Sequence, residues 1–136
     1  MKPQEIFDKV VTHLINQGKR SMDDKYCRYH SDDGLMCAVG VLIPKESYFP
    51  EIDKGNKTIK SLVNEYEDRF PEWMSENLGL LCELQSVHDR QYLWENGKKM
   101  LDTLTSVAES YGISPAILDK LDFDFEPVKE EESTDD

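Results

Sequence analysis

Cysteine and histidine are the residue types in this chain with the most chemistry to offer, and they are few: three of each in 136 residues. One stretch, Cys27–Pro44 (CRYHSDDGLMCAVGVLIP), holds two of the cysteines and one histidine. Cys27 and His30 make a C-x-x-H pair that faces Cys37 across a turn. Thiolate and imidazole ligands suit zinc, but a structural zinc site wants four of them. Only Cys82, His88 or His13 could supply the fourth, from far along the chain, and no second C-x-x-C or H-x-x-x-H pair exists. The plainer reading makes Cys27 and Cys37 small buried hydrophobes and leaves His30 on the outer side of the turn. Cys27, Cys37, Cys82 and His88 are also the set a small metal- or thiol-dependent enzyme would draw on. His88-Asp89 has the types of an acid–base pair, yet neighbours on a helix point about 100° apart and do not ordinarily bond each other. No G-x-S-x-G, P-loop or dinucleotide-binding glycine pattern occurs. We therefore assign no catalytic residue and no cofactor, and a protein without catalysis is the expectation.

The elements that must position these groups begin with the stretch itself. Ser31-Asp32-Asp33-Gly34 is a turn signal: Asp side chains fold back on their own backbone, and Gly accepts positive φ. The flanks 26–30 and 35–39 alternate roughly, which predicts a short β-hairpin reversed at Asp33-Gly34. Ala38–Ile43 is apolar throughout and stops at Pro44. A buried strand and a helical turn are both compatible with so short a run. The helical turn is preferred, although Gly40 counts against it. Three cysteines, an odd number, together with an N-terminus lacking an export signal, point to reduced thiols and a cytoplasmic setting.

The pattern C-x-Y-x-x-x-D-G-L-x-C-A-x-G-x-L-I-P, carried by Cys27, Tyr29, Asp33, Gly34, Leu35, Cys37, Ala38, Gly40, Leu42, Ile43 and Pro44, resembles that of a family of small, mostly uncharacterised phage and prophage proteins. The opening EIFDKVVTHL with Gln17-Gly18-Lys19, then Leu84-Gln85 and His88-Asp89, are similar to that family too, so the likeness covers roughly two thirds of the chain. The resemblance implies a phage or prophage accessory protein and brings no enzymatic activity with it. Members tend to carry Arg where this chain has His30, which further weakens the metal reading.

Charged residues are 32% of the chain and apolar ones 38%, and the net charge is −12. Phosphate contacts need clustered Lys and Arg, so this balance disfavours direct nucleic-acid binding. Its complement is a protein partner with a basic surface, approached faster through attraction and more slowly in salt. Simple solubility is the alternative meaning of the charge. No apolar run reaches the ~20 residues of a membrane-spanning helix.

Along the chain, Lys2–Gln17 reads as a helix. Pro3 sits in its first turn, Ile6, Phe7, Val10, Val11, Leu14 and Ile15 form one stripe, and Gly18 ends it. His13 falls off that stripe, towards the surface. Residues 45–56 read as an irregular connector that Tyr48, Phe49 and Ile52 fasten to the core. Helical spacing returns over 57–66, 78–94 and 98–111, and Ser114-Pro115 opens a last short helix over Ala116–Leu121. Phe70, Trp73 and Met74, around Pro71, read either as a cover over the core or as an exposed patch.

From Asp119 onward nine acids stand against two lysines, a net −7 that leaves −5 for the rest. Such a segment has too little apolar surface to offset its ordering entropy. The expected architecture is thus mainly α (α+β): a compact domain of four to five helices with one small β-hairpin over residues 1–121, then an acidic tail over 122–136. Candidate partner-binding residues are Tyr48 and Phe49 in the connector, Phe70, Trp73 and Met74, and Phe123 and Phe125, an anchor pair among acids. A structural or assembly factor that oligomerises through the Phe70/Trp73 region is a further reading.

Overall fold

The computed structural model describes residues 1–22, 28–31, 34–43, 48–53 and 57–124. Among them are five α-helices: α1 (Pro3–Gln17), α2 (Ile59–Glu65), α3 (Glu72–Glu76), α4 (Leu78–Asp89) and α5 (Gly97–Ser110). Short 3-10 turns at Gly40–Leu42, Pro50–Asp53, Glu67–Arg69, Gln91–Glu95 and Ala116–Lys120 connect or follow them. The mainly helical expectation holds.

α1 buries the six stripe residues read from its spacing. Gly18 closes it with φ +79°, its N–H donating to the Leu14 carbonyl. α4 is the helix around which the rest is assembled: α1, α2, α3 and α5 all pack on it. Leu80, Leu81, Leu84, Val87 and His88 are its buried residues, so two adjacent faces are covered rather than one stripe. α5 is the more one-sided helix, burying Met100, Leu104, Val107 and Ala108 against α4. Asn96 caps it, its side chain accepting from the Lys99 N–H at 3.0 Å. The last 3-10 turn docks on α1, with Leu118 buried.

Among the described residues the expected β-hairpin is not formed. The chain does reverse, with Gly34 at φ +88°, but among the described residues pairing between the two flanks amounts to one antiparallel bridge, His30 to Met36, and there is no strand. The cause lies in where the backbone groups are satisfied. Tyr29 and His30 donate their N–H groups to the Asp53 carboxylate, at 2.7 and 3.2 Å. Met36 donates to Gln17 Oε1, and its carbonyl accepts from the Gln17 amide and faces the His13 ring at 2.9 Å. Between the flanks the Ser31 N–H donates to the Leu35 carbonyl and the Cys37 N–H to the Tyr29 carbonyl. The next rung is lost because the Tyr29 N–H goes to Asp53 and the Cys37 carbonyl accepts from the Val41 N–H, while Gln17 and His13 hold the outward edge at Met36.

The apolar run then makes the helical turn that was preferred, as 3-10 at Gly40–Leu42. Gly40 is obligatory there: a Cβ at this position would overlap the carbonyl oxygen of Tyr29.

A candidate binding cleft beside a committed histidine

His88 is the group nearest to catalytic geometry, and its surroundings decide its role. Its Nδ1 lies 2.8 Å from Asp89 Oδ1, contrary to the expectation for adjacent helical residues. Asp89 is the last residue of α4, where its carboxylate can bend back, and the Gln85 amide donates to the same oxygen at 3.0 Å. The other ring nitrogen, Nε2, accepts from the backbone N–H of Ser21 at 2.9 Å. An imidazole whose Nε2 accepts carries its proton on Nδ1, which makes Asp89 the acceptor.

Carboxylate, imidazole and serine thus stand in series, but the serine presents its backbone. Its hydroxyl donates elsewhere, to the Leu35 carbonyl at 3.1 Å. Ser21 and His88 are both fully buried, and the Trp94 indole N–H donates to the His88 carbonyl at 2.9 Å. A base must have a free nitrogen within reach of a substrate proton. His88 has neither the free nitrogen nor the access, so it is a structural clamp joining α4 to the segment after α1.

The cysteines are similarly placed for structure. Cys37 is buried, its sulfur accepts from the Gly40 N–H at 3.3 Å, and burial pushes the thiol well above its ordinary range. Cys82 is exposed, and partial burial raises its thiol too, against a smaller opposing pull from Lys60. Reactive cysteines have the reverse shift. Both are free thiols, and Cys27 lies outside the described residues. His30 does not point to solvent: its Nε2 bonds the Gly40 carbonyl at 2.9 Å and its ring stacks on Tyr48 with centroids 4.1 Å apart. Among the described residues no three His, Cys, Asp or Glu side chains gather where they could hold a metal ion.

What α4 and the Cys27–Pro44 stretch do build is a cleft of about 360 Å³ between α2, α4 and the segment at Arg28–Tyr29. Its floor is Tyr29, Cys37 and Ile59, all buried. The Tyr29 hydroxyl donates to the Lys57 carbonyl at 2.7 Å, and burial holds that phenol far above its usual range. The wall from α4 is Cys82, Gln85, Ser86 and Asp89. Gln85 is locked by accepting from the Val39 N–H at 3.1 Å while donating to Asp89. Arg28, Lys57, Thr58 and Arg90 complete the lining among the described residues, so three cations and one carboxylate of these share the cleft. The Arg28 guanidinium bonds the Asp53 carbonyl, Lys57 pairs with Glu65 at 3.2 Å, and Arg90 donates to Ser86 Oγ at 3.0 Å.

The aromatic candidates for partner contact are dispersed. Phe70 and Met74 are buried in the core, while Trp73 is half-buried against it. Tyr48 donates to Asp53 Oδ2 at 2.8 Å, and Phe49 lies edge-on to Tyr66 with the Arg69 guanidinium 4.0 Å from its centroid. Phe123 is half-buried and packed on the core, and Phe125 lies outside the described residues. Lys57, Arg90 and Asp53 were missed in the sequence because nothing local marks them; Tyr29 was visible only as a letter of the family-like motif.

Among the described residues no helix is long and apolar enough to cross a membrane. Compared with protein-family models, curated proteins and solved structures, the chain matches none.

Proposed function

We propose that this chain is a non-catalytic accessory protein of phage or prophage type that acts in the cytoplasm by binding, and so restraining, a host or defence protein with a basic surface. The observation that carries the reading is the commitment of His88: both ring nitrogens are spent inside the fold, at 2.8 and 2.9 Å from their partners, with no face left for a substrate. The two described thiols add to it, since both are shifted away from the thiolate. The partner's charge follows from a net −12. The phage setting rests on the resemblance of the Cys27–Pro44 motif.

The experiment is capture from a bacterial lysate with the full chain as bait, followed by binding of the purified candidate at several salt concentrations. A specific partner whose association slows several-fold between low and physiological salt is the expected result. Failure to retain a specific partner, or binding indifferent to salt, overturns the charge-directed reading. Metal analysis of protein purified without chelator covers the enzymatic alternative. Stoichiometric zinc would revive the alternative of a small metal- or thiol-dependent enzyme using Cys27, Cys37, Cys82 and His88, and would overturn the structural role given to His88.

A further inference from the structure

The sign of the charge in the cleft is opposite to that of the chain. With 28 acidic against 16 basic residues, a lining drawn at random would be acidic. Among the described residues the cleft instead has Arg28, Lys57 and Arg90 against Asp89. That one carboxylate already has an oxygen occupied by two donors, His88 Nδ1 and the Gln85 amide. Arg90 makes a neutral contact, to the Ser86 hydroxyl.

Beneath these cations the floor is apolar and fixed: Ile59, the Cys37 thiol and the Tyr29 ring, whose hydroxyl is turned away to the Lys57 carbonyl. Small-molecule sites combine an apolar body with a few placed polar groups in roughly 300–1,000 Å³, and about 360 Å³ falls at the small end of that range.

We propose that this cleft binds a small organic anion, a flat apolar body bearing one phosphate or carboxylate group. The body would lie on Tyr29, Cys37 and Ile59, and the anionic group would meet Arg90 and Lys57. Arg90 can turn its guanidinium from Ser86 towards the anion without opening an ion pair, whereas Lys57 would share its charge with Glu65. This site is distinct from the protein-binding reading and does not depend on it.

Three probes separate the parts of the proposal in amide-spectrum titrations of the full chain: phenyl phosphate, benzyl alcohol and inorganic phosphate. Phenyl phosphate is expected to shift the signals of Tyr29, Cys37, Cys82 and Gln85 saturably, and to bind more tightly than either of the other two. Arg90→Gln with Lys57→Gln should weaken it about ten-fold, the loss expected when charge-assisted bonds are removed. Arg90→Lys should weaken it less. Both residues are only half-buried, and spectra of the variants that otherwise overlay the parent establish that the fold is kept. Scattered or absent shifts overturn the proposal. So does benzyl alcohol binding as well as phenyl phosphate, which would make the cleft merely apolar. Inorganic phosphate binding as well would leave only a charge effect, and unchanged affinity in the double variant would remove the cations' role.

Discussion

A Cβ at Gly40 would run into the carbonyl oxygen of Tyr29, a backbone atom that cannot swing aside, whereas a Cβ at Gly34 would meet nothing within 4 Å. The same loop therefore holds two glycines for different reasons, steric approach at one and φ +88° at the other. Gly34→Val is expected to cost roughly 1 kcal/mol, from backbone strain alone. Gly40→Ala should cost about 3 kcal/mol or more, since overpacking adds to displaced backbone. Urea midpoints of the two variants test the order; equal or reversed costs would remove the close approach. His13 supplies a second residue-scale expectation. Burial, opposed by its bond to the Met36 carbonyl, holds its ring below the usual histidine range. The unfolded chain then takes up the proton first, so this group's stability is full above about pH 6.5 and is lost as pH falls through the lower folded value. The parent should lose more stability than His13→Gln between about pH 7 and about pH 5, a difference read from paired denaturation curves.

At the scale of elements, α4 holds the molecule together because it is covered on every side that matters. Its buried residues meet α1, α2, α3 and α5, and its C-terminal turn carries the groups that fasten the loop regions: Gln85 to Val39, His88 to Ser21, and the Asp89 carbonyl to the Arg20 guanidinium. α5 adds to its packing on α4 a side-chain cap at its N-terminus. Asn96→Ala should cost about 1 kcal/mol, because the Lys99 N–H loses its acceptor. Lys98→Ala on the same helix removes only an exposed pair with Asp102 and should cost under ~0.5 kcal/mol. Thermal melts of both variants provide the comparison, and a cap variant no worse than the ion-pair variant would contradict the role given to Asn96.

For the whole molecule, the boundary of the packed region is the issue that touches function. Phe123 is packed on the core although it belongs to the acidic run that begins at Asp119. Removing residues 125–136 should leave the melting temperature unchanged. Removing 122–136 should lower it, by the loss of a half-buried aromatic worth about 1 kcal/mol. Equal melting of the two truncations would show that Phe123 contributes nothing to the fold. The longer-lived consequence is for binding assays, in which only the shorter deletion separates loss of charge from loss of packing.

The elements that the sequence determined by itself are those whose signal is local. The six-residue stripe of α1, its ending at Gly18 and the proline in its first turn are all set by neighbours within about four residues, because helix periodicity and capping are short-range. The reversal at Gly34 was legible for the same reason. Tertiary structure decided whether that reversal became a hairpin. Asp53 takes the Tyr29 N–H and the Val41 N–H takes the Cys37 carbonyl, the two groups of the next rung, while Gln17 and His13 hold the outward edge at Met36. It also decided that His88 and Asp89 bond each other at a helix end while Ser21 blocks the far nitrogen. The cleft is the clearest case. Arg28 and Tyr29, Lys57 to Ile59, and Cys82 to Arg90 come from three separate parts of the chain, and only their packing around α4 concentrates positive charge in an otherwise acidic molecule.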